Sequence, residues 1–203
     1  ILSDLFQQRL WQMPNPFLKP EKSQSVDAGL DQVFWEKKGK ASLTAFYTQI
    51  DKITLSKRLI DNTWQRYNGG RRVTQGVEMS LGFKPAKDLE VKTSFTLSHA
   101  RDYPGKTTSP LIPLFKGAGE IYWQTTKALS LFAQGYGVSS RKDSVSHKKL
   151  APYGVIHLGG AYKVFQHLAL FGRIENLTNK HYEEVFGYGT RGRAFYLGLE
   201  VVT

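Results

Sequence analysis

The chain has 203 residues, of which 40% are hydrophobic and 22% charged, and its formal net charge is +11. No stretch approaches the roughly 18 apolar residues of a membrane-spanning helix, which excludes helical membrane proteins. The mean hydropathy of -0.37 leaves open a membrane protein built of alternating strands, in which lumen-facing residues offset lipid-facing ones. The absence of cysteine excludes a disulfide framework and thiolate metal sites.

The first predicted element is an extended, turn-rich segment over residues 1–23. Its three prolines, Pro14, Pro16 and Pro20, disfavour a helix. Residues 1–9 contain neither a basic leader nor an apolar run followed by small residues, so they do not resemble a signal peptide. We therefore expect an exported protein with this sequence to carry its start in a preceding segment.

Nine strands follow, joined by connectors that alternate between two lengths. The short connectors are 37–40, 84–88, 125–128 and 164–167, and the long ones are 57–65, 102–114, 140–152 and 176–192. Such alternation is typical of an up-and-down transmembrane β-barrel, which has tight turns on the periplasmic side and larger loops outside. The predicted strands are 24–36, 41–56, 66–83, 89–101, 115–124, 129–139, 153–163, 168–175 and 193–202.

The residues within these strands alternate as a barrel wall requires. Val77, Met79, Leu81 and Phe83 share one side of their strand, and Gly76, Glu78, Ser80 and Gly82 share the other. A charge on the lipid side would cost about 2–4 kcal/mol near the membrane midplane, so the charged sides are predicted to face the lumen. Strand 129–139 has no clean alternation. Aromatic residues near strand ends suit interfacial girdles, namely Trp35, Tyr47, Trp123, Tyr153 and Phe195.

The C-terminal part contains a long ordered motif. It reads R-x-E-N-L-x-N-x-x-Y-E-E from Arg173 to Glu184, then G-Y-x-x-x-G-R from Gly187 to Arg193, then a strand with Phe195, Leu197, Leu199 and Val201 on one side. This order resembles the C-terminus of TonB-dependent outer-membrane receptors, closest to the cobalamin and siderophore group. Residues 15–23 also resemble the N-P-x-L-K-P-E-x-S segment of that family, which lies outside the cell.

The resemblance implies that residues 1–203 form the C-terminal part of a larger barrel. Nine strands leave the first and last strands parallel in direction, so an all-antiparallel sheet cannot close by pairing them. Family members have 22 strands and an N-terminal plug domain, which is absent from this sequence. They usually end on an aromatic residue that is read by the assembly machinery. Thr203 stands in its place, so either the chain stops short of that residue or the signal is weakened.

The resemblance also implies a function. We expect a monomeric active-transport receptor in the outer membrane of a Gram-negative bacterium, taking up cobalamin or a ferric siderophore and energised by TonB through the plug. No enzyme activity and no cofactor are expected. The alternatives are a passive porin-like or structural barrel, and a soluble basic β-protein that binds polyanions.

Ligand contact is predicted for aromatic and basic residues at the external strand ends. Rings give large contact areas at low entropic cost, and arginine offers a fork of donors to phosphate or carboxylate groups. The strongest candidate is Tyr188, in the aromatic loop of the recognised motif. Arg173 and Glu175, on the lumen side, are instead expected to pair across strands. The predicted ligand-binding residues are Arg101, Tyr103, Arg141, Phe186, Tyr188 and Arg191.

Two other signals are weaker. Residues 187–192 fit G-x-G-x-x-G, but they precede a strand and not a helix, which favours a turn over a dinucleotide site. The basic clusters lie in loops between strands, so contact with solvent, anionic lipopolysaccharide or an anionic ligand is favoured over nucleic acid. These clusters are Lys57, Arg58, Arg66, Arg71 and Arg72, and Arg141, Lys142, His147, Lys148 and Lys149. The five histidines have no metal-ligand spacing.

Overall fold

The computed structural model describes residues 11–105, 107–143, 146 and 148–201. His147 and Thr203, which entered the predictions above, lie outside these residues. Within the described part of the chain, every regular element is a β-strand. No helix there is long and apolar enough to cross a lipid bilayer.

Nine long strands form one sheet in which neighbours in sequence are neighbours in space. The short connectors predicted from sequence are confirmed, with turns between β1 and β2, β3 and β4, β5 and β6, and β7 and β8. The strands are β1 Lys22–Phe34, β2 Gly39–Asp51, β3 Arg71–Ala86, β4 Leu89–Tyr103, β5 Phe115–Gln124, β6 Leu129–Val138, β7 Tyr153–Phe165, β8 Leu168–Glu175 and β9 Ala194–Val201.

Two predicted strands are interrupted at their ends. The predicted strand 41–56 corresponds to β2 and a separate strand, Thr54–Arg58. The two are separated because the backbone turns at Lys52, whose φ of 58° lies in the left-handed region. Prediction 66–83 likewise corresponds to Trp64–Asn68 and β3, separated at Gly70, whose φ is 78°. The break at Lys52 has no sequence signal, because lysine does not favour a left-handed conformation. The glycines before β3, Gly69 and Gly70, are a turn signal that could have indicated the second break.

The antiparallel register gives the sheet one polar and one apolar face. One row of paired residues crosses four strands, with Glu120 opposite both Lys92 and Gln134. Gln134 in turn lies opposite His157. The adjacent row belongs to the other face because strand side chains alternate, and it consists of Val91, Ile121, Ala133 and Leu158.

This register assigns the faces of β6, which the sequence left open. Gln134 and Tyr136 line the polar face, where a groove of ≈ 630 Å³ is also bordered by Ser80 and Lys92. Leu131 and Ala133 lie on the opposite face. Phe132 falls on the polar side, where its ring covers Gly159 of β7.

The last two strands pair from Leu168 with Val201 to Glu175 with Ala194. The predicted apolar side of β9 is exposed, and Leu197 reaches 91% exposure. On the other side, the ring of Phe171 covers Gly198 so closely that a Cβ at Gly198 would collide with it.

Arg173 and Glu175 differ from the expectation that they pair across strands. They form an ion pair with each other along β8, with a distance of 3.0 Å between Nη2 and Oε1. The contact across strands is made with Tyr196 of β9, whose hydroxyl donates to Glu175 at 3.2 Å and whose ring lies 4.4 Å from the Arg173 guanidinium. Because Tyr196 contacts both Arg173 and Glu175, this ion pair needs no charged residue opposite it on β9.

The chain divides into two compact units. The first comprises Ile1–Asp27, Phe46–Gln75 and Ala100–Ser109, and the second comprises Ala28–Ala45, Gly76–His99 and Pro110–Thr203. The first unit contains a three-stranded sheet in which Trp64–Asn68 pairs with Thr54–Arg58 on one side and with Gln12–Met13 on the other.

Side chains of the first unit fasten the proline-rich segment to this small sheet. Asn68 accepts a hydrogen bond from the Lys19 backbone at 2.6 Å and donates one to its carbonyl at 2.8 Å. Glu21 accepts from the Thr54 backbone at 2.6 Å. In the turn at the hairpin tip, the Thr63 hydroxyl and N–H donate to Asp61 and hold the pKa of that carboxyl below its usual range.

Candidate ligand-contact loops

Three tyrosines from distant parts of the second unit meet beside the long loops that follow β6 and β8. The rings of Tyr153 and Tyr182 stack with centroids 4.1 Å apart, and Tyr136 meets Tyr153 edge-on at 6.1 Å. The hydroxyls of Tyr136 and Tyr182 are hydrogen-bonded at 3.0 Å. Such packing combines ring burial with satisfied hydroxyls and so fixes the position of the loop that contains Tyr182.

Arg141 joins the two loops on top of this aromatic cluster. Its guanidinium lies 5.7 Å from the Tyr153 ring, and its Nη2 donates to the carbonyl of Glu184 at 3.1 Å. The Glu184 carboxylate accepts from the Tyr153 hydroxyl at 3.1 Å. The other terminal nitrogen of Arg141, Nη1, is enclosed and has no acceptor within the described part of the chain.

Asp143 makes a second connection between the same loops. It is 2% exposed and accepts hydrogen bonds from the Ser146 backbone and hydroxyl at 2.7 and 2.8 Å. Its other oxygen accepts from the Phe186 backbone at 3.4 Å, and Lys148 places its ammonium 4.5 Å from the Phe186 ring. The small hairpins Arg141–Lys142 with Lys149–Leu150 and Glu183–Val185 with Tyr188–Gly189 are thereby held together.

Asn176 begins the long loop after β8 and is 3% exposed. Its amide donates to the carbonyls of Lys180 and Arg191 at 2.9 and 3.2 Å, and its oxygen accepts from the Lys180 backbone at 2.8 Å. Its φ of 51° is left-handed, a conformation that asparagine tolerates better than most residues. Sequence reasoning did not assign this role, although an asparagine directly after a strand is a turn signal that would have suggested it.

The structure places the six predicted ligand-binding residues in different surroundings. Arg141 and Phe186 lie on the two loops that the contacts just described join, and Tyr188 lies on the same hairpin loop as Phe186 with 74% of its surface exposed. Arg191 donates to the Tyr196 hydroxyl. The other two, Arg101 and Tyr103, belong to the first unit, where the Arg71 guanidinium lies over the Tyr103 ring.

One residue predicted for the interfacial girdles does not belong to them. Tyr153 is 8% exposed and belongs to the aromatic cluster, because its register partner Val138 lies on the polar face of β6. Trp35, Trp123 and Phe195 are 54%, 49% and 68% exposed, as a girdle requires. Tyr47 is 38% exposed.

The loops therefore present rings and hydrogen-bond donors above a wall with one polar and one apolar face. Within the described residues, no group of three histidine, aspartate or glutamate side chains is placed to hold a metal ion. A surface of this composition is suited to binding an anionic or aromatic molecule through ring contacts and charged donors.

Comparison with known proteins identifies this architecture. Residues 2–177 match the family model described as TonB dependent receptor-like, beta-barrel. The chain belongs to this family. The resemblance noted from the sequence motifs is thus confirmed, and so is the all-β fold.

The chain spans about a third of the length of the relatives it matches. The chain is 29% identical to the iron-regulated outer membrane virulence protein of Vibrio cholerae over 92% of its own length, and it spans 32% of that relative. A ferric enterobactin receptor variant from Pseudomonas aeruginosa aligns with a TM-score of 0.77 at 23% identity, over 94% of this chain and 32% of the receptor. The ferric-catecholate import receptor Fiu of E. coli K12 aligns with a TM-score of 0.75 at 19% identity, over 97% and 30%.

Proposed function

We propose that this chain supplies wall and external loops to an outer-membrane receptor that imports a ferric siderophore, energised through TonB. The observation that carries the proposal is the joined pair of loops beside β6 and β8, which offers Phe186, Tyr188 and Arg191 on a wall of the receptor family. The receptor acts in the outer membrane of a Gram-negative bacterium as a monomer and performs transport without enzymatic chemistry. TonB acts on a plug domain encoded outside this segment.

The choice of a ferric siderophore over cobalamin rests on the relatives. The curated relative is named as iron-regulated, and two of the aligned structures are named for ferric enterobactin and ferric catecholates. Ferric catecholates are anionic and aromatic. Ring stacking and arginine donors are the protein groups that recognise such a molecule. Cobalamin remains the competing ligand in the experiment below.

The predicted contact residues differ in how much of their surface a ligand can reach. Tyr188 makes the strongest candidate because 74% of its surface is available, whereas Phe186 is 37% exposed with Lys148 beside its ring. Arg141 donates through Nη2 to the carbonyls of Glu183 and Glu184 in the neighbouring loop. We therefore propose that Tyr188, Phe186 and Arg191 contact the ligand directly, and that Arg141 also positions the loop that carries them.

The test is uptake and binding by the full-length receptor that contains this chain. Cells that lack their other catecholate and cobalamin receptors are supplied with radiolabelled ferric enterobactin or labelled cyanocobalamin. We expect TonB-dependent accumulation of iron and not of cobalamin. Uptake of cobalamin alone would overturn the choice of ligand, and equal uptake without TonB would favour the passive porin.

The residue assignment is tested with Tyr188→Ala. We expect the variant to weaken ferric enterobactin binding about tenfold, in line with the loss of one aromatic contact. The matched control is Tyr162→Ala, which removes a tyrosine that is 50% exposed on the apolar face of β7. An equal loss of binding in both variants would mean that Tyr188 contributes only to general stability.

A further inference from the structure

His157, on β7, holds the start of the long loop after β8. Its Nδ1 accepts a hydrogen bond from the backbone N–H of Asn176 at 3.2 Å. The following N–H, that of Leu177, donates to the Ile156 carbonyl at 2.8 Å. The imidazole therefore supplies a side-chain acceptor at the residue where the loop leaves the sheet.

The aromatic cluster holds this imidazole in place. The ring of Tyr136, on β6, stacks on the imidazole with centroids 5.8 Å apart and an angle of 24° between the planes. The hydroxyl of Tyr136 is bonded at 3.0 Å to the hydroxyl of Tyr182, which belongs to the same loop as Asn176. His157 and Tyr136 also border the groove on the polar face of the sheet. The loop is thus attached to the polar face through two stacked rings.

Asn176 connects this attachment to the ligand-contact residues. Its N–H is held by His157, and its side chain bonds the backbone of Lys180 and the carbonyl of Arg191. Arg191 is one of the three residues proposed to contact the ligand directly, and the other two lie between these anchored points of the loop. The loop that carries all three therefore depends on the hydrogen bond at His157.

Only a neutral imidazole can accept this hydrogen bond. The N–H of Asn176 requires an Nδ1 without a proton, so the proton of the neutral ring lies on Nε2. An imidazolium has N–H groups on both nitrogens and would direct one of them at the N–H of Asn176. Histidine changes between these two forms in the range of about pH 5–8. The bond is therefore present while the ring is neutral and is lost when acid charges the ring.

The charged groups around His157 already have partners. Glu175 lies one step beyond the register pair of Leu158 with Ile174, and its carboxylate is bonded by Arg173 and Tyr196. The Tyr136 ring attracts a cation, yet it offers no acceptor to the Asn176 N–H. Within the described residues, the titratable and charged groups that face His157 are Tyr136 on β6, Tyr153 on β7, Arg173 and Glu175 on β8, Tyr182 in the loop, Tyr196 on β9, and, further across the sheet, Glu120 opposite Lys92.

We propose that His157 is a positioning residue for the ligand-contact loop and makes ligand binding sensitive to pH. Protonation of His157 releases the Asn176 N–H, loosens the loop over 176–193 and weakens ligand binding. The effect on binding rests on the proposed function, whereas the change in the loop does not depend on which ligand is transported. Uptake is then favoured in surroundings where the imidazole stays neutral.

The first test follows the loop in the purified full-length receptor without ligand. Hydrogen–deuterium exchange of peptides that cover 176–193 is measured at about pH 7.5 and about pH 5.5, and corrected for the pH dependence of intrinsic exchange. We expect about tenfold faster exchange in this loop at the lower pH, and no change in peptides from β5. Equal corrected rates at the two pH values would overturn the proposal.

The second test measures ferric enterobactin binding by the full-length receptor at the same two pH values. We expect the unchanged receptor to bind about tenfold more weakly at the lower pH. His157→Asn offers an amide oxygen in place of Nδ1 and does not titrate, so it should bind well at both pH values and lose this dependence. His157→Leu offers no acceptor and should bind weakly at both. The comparison between variants removes any effect of acid on the ligand itself.

His181→Asn is the matched control, because His181 is an exposed histidine in the same loop. This variant should keep the full pH dependence. Its loss in the His181 variant, or its persistence in His157→Asn, would overturn the proposal. Heat-dependent gel mobility reports folding, and if His157→Leu does not fold, His157→Asn still decides. If the receptor does not bind ferric enterobactin at all, the proposed function fails, while hydrogen–deuterium exchange still tests the role of His157.

Discussion

At the scale of single residues, Asn176 determines how the loop after β8 leaves the sheet. It is buried, and its side chain satisfies one donor and two acceptors of the loop backbone. A hydrogen bond of this kind contributes about 0.5–1.5 kcal/mol net, so the three bonds together stabilise the path of the loop. The loop that carries Phe186 and Tyr188 therefore depends on a side chain that never contacts the ligand in our proposal.

We predict that Asn176→Gly makes the loop over 176–193 more susceptible to proteolysis. Glycine tolerates the left-handed φ of 51°, so the change isolates the lost hydrogen bonds from backbone strain. Limited proteolysis of the folded receptor, followed by mass spectrometry of the fragments, measures the cleavage rate. Asn62→Gly is the matched control, since Asn62 also has a positive φ of 64° but is exposed. If cleavage increases equally in both variants, the side chain of Asn176 is not what orders the loop.

At the scale of strands, alternation and connector length predicted most of the fold. All nine long strands and all four short turns follow from local patterns, because each strand must present opposite chemistry to lipid and lumen. The aromatic cluster could not be predicted from these local patterns. Tyr136, Tyr153 and Tyr182 come from two strands and a loop, and their meeting depends on the register between β6 and β7 and on the path of the loop. Alternation alone therefore predicts Tyr153 as a girdle residue, although it lies in the cluster.

The face assignment of β6 can be tested with two adjacent residues. We predict that Ala133→Arg costs about 2–4 kcal/mol and reduces assembly of the folded receptor, because Ala133 lies on the apolar face with Ile121 and Leu158. Gln134→Arg places the same group on the polar face and should assemble normally. The amount of heat-resistant folded receptor in isolated outer membranes measures both. Poor assembly of the Gln134 variant alone would reverse the assignment.

A second strand-level prediction concerns the close contact between β8 and β9. Gly198→Ala places a methyl group where it collides with the ring of Phe171. We expect it to destabilise the receptor by about 1–3 kcal/mol, the usual cost of overpacking. Gly119→Ala is the control, since the nearest atom to its added Cβ is the Lys92 carbonyl oxygen at 3.8 Å, an ordinary contact. Unfolding in guanidinium chloride would compare them. An unchanged midpoint for the Gly198 variant would show that the ring moves aside at little cost.

At the scale of the whole molecule, the sheet runs from β9 to β1 as an open path. Each of the two edge strands has one neighbour in the sheet within the described residues. An exposed edge has unpaired backbone groups, which a lipid environment cannot satisfy. We propose that the strands which complete the wall lie in the rest of a longer receptor, as the length of the relatives supports.

This proposal predicts different behaviour for the segment and the full receptor. Residues 1–203 produced alone and refolded in detergent should aggregate and show no heat-dependent change in gel mobility. The full-length receptor treated identically should show that change. A monodisperse, heat-modifiable segment would mean that these strands close by themselves or by association between copies, and analytical ultracentrifugation would distinguish the two.

The two loops after β6 and β8 are joined by Arg141 and Asp143, which bind the backbone of Glu184 and Phe186. A graft that moves only one of these loops into another receptor would break both connections and leave buried polar groups unpaired. Exchange of ligand specificity between receptors by recombination should therefore succeed only when both loops are inherited together. In evolution as in engineering, the unit of exchange is the loop pair.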